Sequence, residues 1–313
     1  NGLIYSKEQI VVSTGAKQTL ANLFLSLVNP GDEVLLIAPY WVTYSEQVKM
    51  VKGIPKVIQT DIDTGYKITP EQLEKAISPK TRLFVFNSPS NPSGAIYTKE
   101  EIIKLGEVIK QHPGFMIISD EIYEHIVYVD KNYSLACDPE LYERIITVNG
   151  VSKAFAMTGW RIGYMGGPEW VAKACTKVQG QFTSGACSVS QRAAKAAVEA
   201  DPESIQYMVD IFHHRRDLII KELKKIEGLV VNKPGGAFYI YPDVSSYFGK
   251  SFNDWKIKNA SDLCAYLLEE AYVATVPGDA FGTTHHIRLS YAASDEILTE
   301  AARRMNKALS KLK

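Results

Sequence analysis

Lys153 lies in the run Asn149-Gly150-Val151-Ser152-Lys153-Ala154-Phe155-Ala156-Met157-Thr158-Gly159-Trp160-Arg161, where the next charge after it is Arg161. Desolvation among small and apolar residues penalises an ammonium group and lowers its pKa. A chain therefore leaves such a lysine on the surface or uses it. Three other stretches hold residues of chemical interest. Ser13-Thr14-Gly15-Ala16-Lys17 follows an apolar run and opens a helix. Small residues there leave backbone N–H groups free for an anion, and the helix dipole favours a phosphate, although a plain turn has the same composition. In Ser88-Pro89-Ser90-Asn91-Pro92-Ser93-Gly94 two prolines stiffen the loop around Asn91, which also fits an ordinary Asn-Pro turn. Asp120, in Ser119-Asp120-Glu121-Ile122-Tyr123, ends an apolar run as either an N-cap or a site residue.

Taken together these are a phosphate cradle, a rigid asparagine, a carboxylate, a lysine and an arginine. Pyridoxal 5′-phosphate needs such a set: a lysine for its imine, a carboxylate for its ring nitrogen, and donors for its phosphate and phenolate oxygens.

The elements that must position these groups are legible as alternating periods. Apolar strands are expected at Ile10–Ser13, Glu33–Ile37, Pro55–Gln59, Leu83–Phe86, Phe115–Ser119, Ile145–Asn149 and Ile162–Gly166. Segments with helical spacing, such as Lys17–Leu27, Thr69–Ile77 and Thr98–Lys110, lie between them. Strands alternating with helices give an α/β fold, a mostly parallel seven-stranded sheet sandwiched by helices. In such sheets ligands gather at the carboxyl ends of the strands, where the candidate residues fall. A long charged helix over Glu203–Ile226 then leads to a smaller C-terminal α+β domain with two closing helices. The expected division is 1–205 for a large cofactor-binding domain and 206–313 for the small one.

Bulk composition excludes several classes. The 35 basic residues balance 35 acidic ones, so there is no electrostatic case for nucleic acid or an anionic membrane as a partner. No apolar run approaches the roughly 20 residues that span a bilayer. The four cysteines, Cys137, Cys175, Cys187 and Cys264, are scattered without a CxxC pair. That argues against a zinc site or a disulfide framework and fits a reducing cytoplasm.

The motifs Pro39-Tyr40-Trp41, Ser88–Gly94, Ser119–His125, Ser152–Tyr164, Pro234–Tyr239, Val276–Gly282 and Ile287–Tyr291 carry a family resemblance along essentially the whole chain. It resembles the class I pyridoxal-phosphate aminotransferases of fold type I. Within them it is most similar to the bacterial-type aspartate aminotransferases, in the branch that includes aspartate/prephenate aminotransferases. The resemblance implies Lys153 as the Schiff-base lysine and proton shuttle, and Asp120 as the partner of the pyridinium nitrogen. It implies Tyr123 and Asn91 as donors to the phenolate oxygen, and Arg161 with the backbone of Gly15, Ala16 and Lys17 as the phosphate site. Trp41 is expected to stack on the ring, Arg288 to clamp the substrate α-carboxylate, and Lys17 to bind the distal carboxylate of acidic substrates. The implied reaction is transamination between aspartate and 2-oxoglutarate, with prephenate as a further acceptor, by a cytoplasmic homodimer acting on amino and 2-oxo acids. Aromatic or neutral amino acids, a β-lyase, or a non-catalytic sensing domain of this fold are the alternatives.

Two departures from the family stand out. Gly150, three before the lysine, occupies a position where many relatives carry a serine that donates to the phosphate. The chain also begins Asn1-Gly2-Leu3 close to its first strand, as a form lacking the N-terminal segment of its relatives would, with a cofactor then weakly held. His213-His214 and His285-His286 are adjacent pairs without metal-ligand spacing on a helix. Glu121 and Glu124 are expected to be solvated or capping, His125 to make a supporting hydrogen bond, and Cys187 to be a small core residue.

Overall fold

The computed structural model describes residues 2–129 and 131–313. In chain order the elements are β1 (Ile10–Ser13), α1 (Ala16–Leu27), β2 (Glu33–Ile37), α2 (Thr43–Met50), β3 (Ile54–Ile58), α3 (Pro70–Ala76), β4 (Thr81–Asn87), α4 (Lys99–Gln111), β5 (Met116–Asp120), β6 (Ile145–Gly150) and β7 (Gly163–Gly166). There follow α5 (Glu169–Phe182), α6 (Ser188–Val198), α7 (Gln206–Leu223), β8 (Tyr239–Ile240), β9 (Ser251–Phe252), β10 (Trp255–Lys256), α8 (Ala260–Ala271), β11 (Val276–Pro277), β12 (Ile287–Ser290) and α9 (Asp295–Leu309).

Strands β1 to β7 form one sheet in the order β1-β7-β6-β5-β4-β2-β3. The pairs β3–β2, β2–β4, β4–β5 and β5–β6 are parallel, while β7 runs antiparallel to both β6 and β1. The alternation of side chains along each strand divides the core. Leu83 and Val85 face one cluster with Leu20, Leu23 and Phe24 of α1 and Val171 of α5. Phe84 and Phe86 face the other with Leu73 of α3 and Ile102, Leu105 and Ile109 of α4. Both faces are thus covered, which is why β5 and β6 read as continuous apolar runs. Each such side chain contributes about 1.5–3 kcal/mol by leaving water.

Local signals set the helix starts. Thr98 accepts from the Glu101 amide at 3.2 Å while the Glu101 carboxylate accepts from the Thr98 amide at 2.7 Å, a reciprocal cap that satisfies two orphan donors. Thr69 and Gln72 repeat it at α3. Around Glu203 the chain first makes a 3-10 turn, Pro202–Ile205, and the α-helix starts only at Gln206. A third apolar cluster takes Ile219 and Leu223 from α7, Leu263 and Leu267 from α8, Leu298 and Met305 from α9, and Ile287 and Leu289 from β12. Strands β11, β12 and β8 form a small antiparallel sheet beside it. No helix among the described residues is long and apolar enough to cross a membrane.

Candidate active site

The carboxyl ends of β4, β5 and β6 lie side by side, with Asn87 in register with Asp120 and Asp120 with Val148. Just beyond them is a cavity of about 310 Å³, and Ala16, Lys17, Trp41, Asn91, Asp120, Tyr123, Lys153, Arg161 and Arg288 all line it. These residues span the chain from α1 to β12, so the fold itself gathers them. Gly15 sits at the edge of this group. Its φ of 82° is in the region that favours glycine, and a Cβ there would run into the Arg161 guanidinium. Arg161 therefore lies directly against the start of α1. That start has no side-chain cap, so its first amides lie uncapped beside the guanidinium, a pairing that suits an anion.

Asp120 is 2% exposed. Its Oδ2 accepts the Tyr44 hydroxyl proton at 2.6 Å and its Oδ1 accepts the Ile122 amide at 3.2 Å. Burial pushes its pKa up, against the opposing pull of the Tyr44 and Ile122 hydrogen bonds and of Lys153. The Lys153 amine is pushed the other way. Burial lowers its pKa, the positive charges of Arg288 and Arg161 lower it further, and Asp120 opposes them. Its Nζ stands 5.8 Å from the centre of the Phe238 ring and 6.0 Å from that of Tyr123. The site thus holds an acid and an amine that are both biased toward their neutral forms.

Arg288 Nη1 donates to Asn91 Oδ1 at 3.0 Å, which leaves the Asn91 Nδ2 as that side chain's donor. The Arg288 guanidinium lies with its central carbon over the ring of Tyr239 at 4.6 Å and over that of Phe281 at 5.0 Å. Its plane is held and its remaining N–H groups suit a planar carboxylate. Lys17 Nζ lies 5.1 Å from the Trp41 ring centre, and the Trp41 ring meets Tyr44 edge to face at 5.6 Å.

Other residues of the site were not foreseen from the sequence. Tyr44, Asn87, Ile122, Ser152, Thr158 and Tyr239 also line the cavity. Asn87 accepts from the Asn91 amide at 3.0 Å and donates to the Asp120 carbonyl at 2.8 Å, tying the proline-stiffened loop to the end of β5. The signal was available, because Asn87 is a polar residue ending an apolar strand, as Asp120 is. Ser152 and Thr158 flank the lysine and add hydroxyls near Arg161.

Two expectations need correction. Glu121 is not solvated: it is 2% exposed, and its Oε1 accepts from Ser119 at 2.9 Å and Ser134 at 2.5 Å. It points to the side of the strand end away from Asp120. Cys187 is not core but exposed, at the N-cap of α6, a helix whose only buried residue is Ala194. Glu124 is partly buried and accepts from Asn149 at 2.6 Å, and His125 meets Phe155 edge to face at 5.8 Å. His214 bonds Asp295 at 2.7 Å.

The model of the family "Aminotransferase class I and II" matches residues 1–305. A bifunctional aspartate aminotransferase and glutamate/aspartate-prephenate aminotransferase of Petunia hybrida is 46% identical over 318 residues, covering 100% of this chain and 66% of its own length. The chain thus spans just under two thirds of that relative. An aspartate/prephenate aminotransferase of Cereibacter sphaeroides is 46% identical over 97% of this chain and 77% of its own length. Among solved structures, an aspartate aminotransferase from Rhizobium meliloti superposes with a TM-score of 0.96 at 45% identity, covering 100% of this chain and 79% of that one. The matched span includes every wall of the cavity from Ala16 to Arg288 and the whole seven-stranded sheet, and this chain belongs to the class I and II aminotransferase family.

Proposed function

We propose that this chain carries out pyridoxal-phosphate-dependent transamination of aspartate with 2-oxoglutarate, giving oxaloacetate and glutamate, with prephenate as a further amino acceptor. The observation that carries the proposal is the convergence of Lys153, Asp120 and Arg288 on one cavity, in a chain whose relatives bear aspartate and aspartate/prephenate names. When bound, pyridoxal 5′-phosphate supplies a carbonyl that takes up the amino group and a ring that accepts electrons.

The residues present fit that group. The cradle at Gly15, Ala16, Lys17 and Arg161 is sized by a glycine whose Cβ would fill it, and it suits the phosphate. Asp120 is a buried carboxylate with no lysine or arginine in ion-pair contact among the described residues, so a protonated ring nitrogen would stabilise its charge. Tyr123 and the Asn91 Nδ2 would donate to the ring oxygen, and Trp41 would cover one ring face. Lys153, with its amine biased toward the neutral form, can accept a proton from the substrate Cα and return one to the acceptor carbon. Arg288 would hold the α-carboxylate in its stacked guanidinium plane. Lys17 would take the distal carboxylate, which favours dicarboxylic over aromatic or neutral amino acids.

The same proposal includes a division at 205/206 into a large and a small domain, a homodimer and a cytoplasmic setting, all supported by family membership. The test is a spectrum between 300 and 500 nm after addition of pyridoxal 5′-phosphate, followed by titration with aspartate. A pH-sensitive visible band that aspartate converts to a near-ultraviolet one is the expected result. A band that phenylalanine converts and aspartate does not would overturn the dicarboxylic assignment.

A further inference from the structure

Tyr239 makes two contacts with two different parts of the site. Its hydroxyl lies 3.1 Å from that of Tyr123, and its ring lies under the Arg288 guanidinium at 4.6 Å. The residue is 7% exposed and opens β8, paired with Ser290 of β12, so the strand carrying Arg288 and the ring beneath it are one hydrogen-bonded unit. The Tyr123 and Tyr239 rings meet edge to face at 5.9 Å, which leaves the two hydroxyls little freedom to part.

A tyrosine hydroxyl has one proton to give. If Tyr123 gave its proton to Tyr239, it would have none for a ligand in the cavity. If Tyr239 is the donor, the Tyr123 proton is free to point into the cavity, and the accepted bond polarises Tyr123 into a better donor. We propose that Tyr239 is a positioning residue with two separable functions: its hydroxyl donates to Tyr123 and so directs the Tyr123 proton into the cavity, and its ring fixes the plane of the Arg288 guanidinium for a carboxylate. The hydroxyl function rests on the reading above that Tyr123 meets the cofactor's ring oxygen. The ring function needs only that Arg288 binds a carboxylate.

The two are separated by Tyr239→Phe, which keeps the ring, and Tyr239→Leu, which removes ring and hydroxyl. Two quantities are measured: the pH midpoint of the visible absorption of protein loaded with pyridoxal 5′-phosphate, and the dissociation constant of succinate by calorimetry. Losing the bond that Tyr239 donates leaves Tyr123 a less polarised and less directed donor to the ring oxygen, whose negative charge is then less stable, so protons are held to higher pH. Tyr239→Phe is expected to raise the midpoint by up to about 0.5 unit, a fraction of one net hydrogen bond, while succinate binding stays within about 2-fold. Tyr239→Leu is expected to raise the midpoint equally and to weaken succinate by roughly 3- to 10-fold through the lost stacking. In a Tyr123→Phe background, Tyr239→Phe is expected to add no further shift.

An unmoved midpoint in Tyr239→Phe, or a shift that persists without the Tyr123 hydroxyl, overturns the hydroxyl function. Succinate weakened as much by Tyr239→Phe as by Tyr239→Leu, or by neither, overturns the ring function. A wild-type protein with no visible band overturns the cofactor reading and the hydroxyl function with it, and the succinate comparison then decides the ring function alone.

Discussion

The Tyr44 hydroxyl donates to Asp120 Oδ2 over 2.6 Å with both groups buried. This is the shortest support the carboxylate receives, and it comes from α2, one turn beyond Trp41, rather than from the strand that carries Asp120. Burial pushes the Asp120 pKa up and the Tyr44 bond is the largest effect holding it down. Burial, and after it the same carboxylate, holds the Tyr44 hydroxyl well above the ordinary tyrosine range.

Tyr44→Phe should therefore move the Asp120 pKa further up. A group whose folded pKa exceeds its unfolded value favours the folded state below the unfolded value, about 3.9 for aspartate, and this contribution is lost as pH rises through the folded pKa. The variant widens that window upward. The expected result is an acid limb of the activity profile displaced to higher pH, with cofactor affinity reduced roughly 10-fold for the loss of a hydrogen bond to a charged group. An acid limb that stays in place would show that Tyr44 only packs.

Lys153 gives a prediction with the opposite sign. Its folded pKa is lowered, so the unfolded chain binds the extra proton between the folded value and the ordinary lysine value of about 10.4. In that interval stability of the cofactor-free protein rises with pH. Lys153→Met removes the titration and much of the desolvation cost. Compared with wild type, it should show an equal or higher melting temperature near neutral pH, a smaller advantage toward pH 10, and no visible band with pyridoxal 5′-phosphate. A variant that melts several degrees lower at neutral pH would mean that Lys153 is structurally satisfied rather than held ready.

Legibility in the sequence followed contrast. Asp120 and Lys153 could be picked out because a charge at the end of an apolar strand breaks the pattern that buries the strand. The sheet could be drawn because β4, β5 and β6 each carry a run of three or more apolar or small residues and the loops between are punctuated by Gly and Pro. Tyr44 and Tyr239 could not, because tyrosine is common in cores, and among 17 tyrosines only placement distinguishes the one whose hydroxyl faces Asp120. Cys187 was misplaced for a related reason. Ser184-Gly185-Ala186-Cys187-Ser188 is small and weakly polar on either side of a surface, and α6 buries only Ala194. Glu121 follows Asp120 by one residue, but strand geometry sends successive side chains to opposite faces, and of its two serine partners Ser134 comes from a separate loop.

Arg288 is held by one hydrogen bond and two aromatic faces, a geometry that a lysine cannot copy. Arg288→Lys keeps the charge but loses the planar fork and the stacking. The expected effect is a fall in kcat/KM for aspartate of roughly 100-fold, the size of two charge-assisted hydrogen bonds partly lost, carried mostly by KM. Arg288→Ala should fall further and free the Asn91 Oδ1. Steady-state kinetics with aspartate decides this, and near-wild-type kinetics in Arg288→Lys would show that point charge alone is enough.

The family resemblance implies a serine where this chain has Gly150, and the surroundings of Gly150 show what a side chain there would meet. A Cβ there would come within 2.8 Å of the Ile162 carbonyl oxygen and 3.0 Å of Gly163 Cα. Gly163 is itself pressed against Gly15 and the Ala16 amide, leaving no room for a Cβ of its own. β6, β7 and the start of α1 are thus stacked backbone on backbone, and a side chain at 150 must push β7 into the anion cradle. Gly150→Ser should add no useful phosphate donor. It should destabilise by about 1–3 kcal/mol as an overpacked site does and weaken pyridoxal 5′-phosphate together with the fold. Gly159→Ser is the control, because nothing lies within 4 Å of its Cβ position and surface changes of that kind stay within about 0.5 kcal/mol. Thermal melting and cofactor titration of the two variants side by side test this. A Gly150→Ser protein that melts with wild type and binds the cofactor more tightly would show that β7 yields and that the missing hydroxyl is a real deficit.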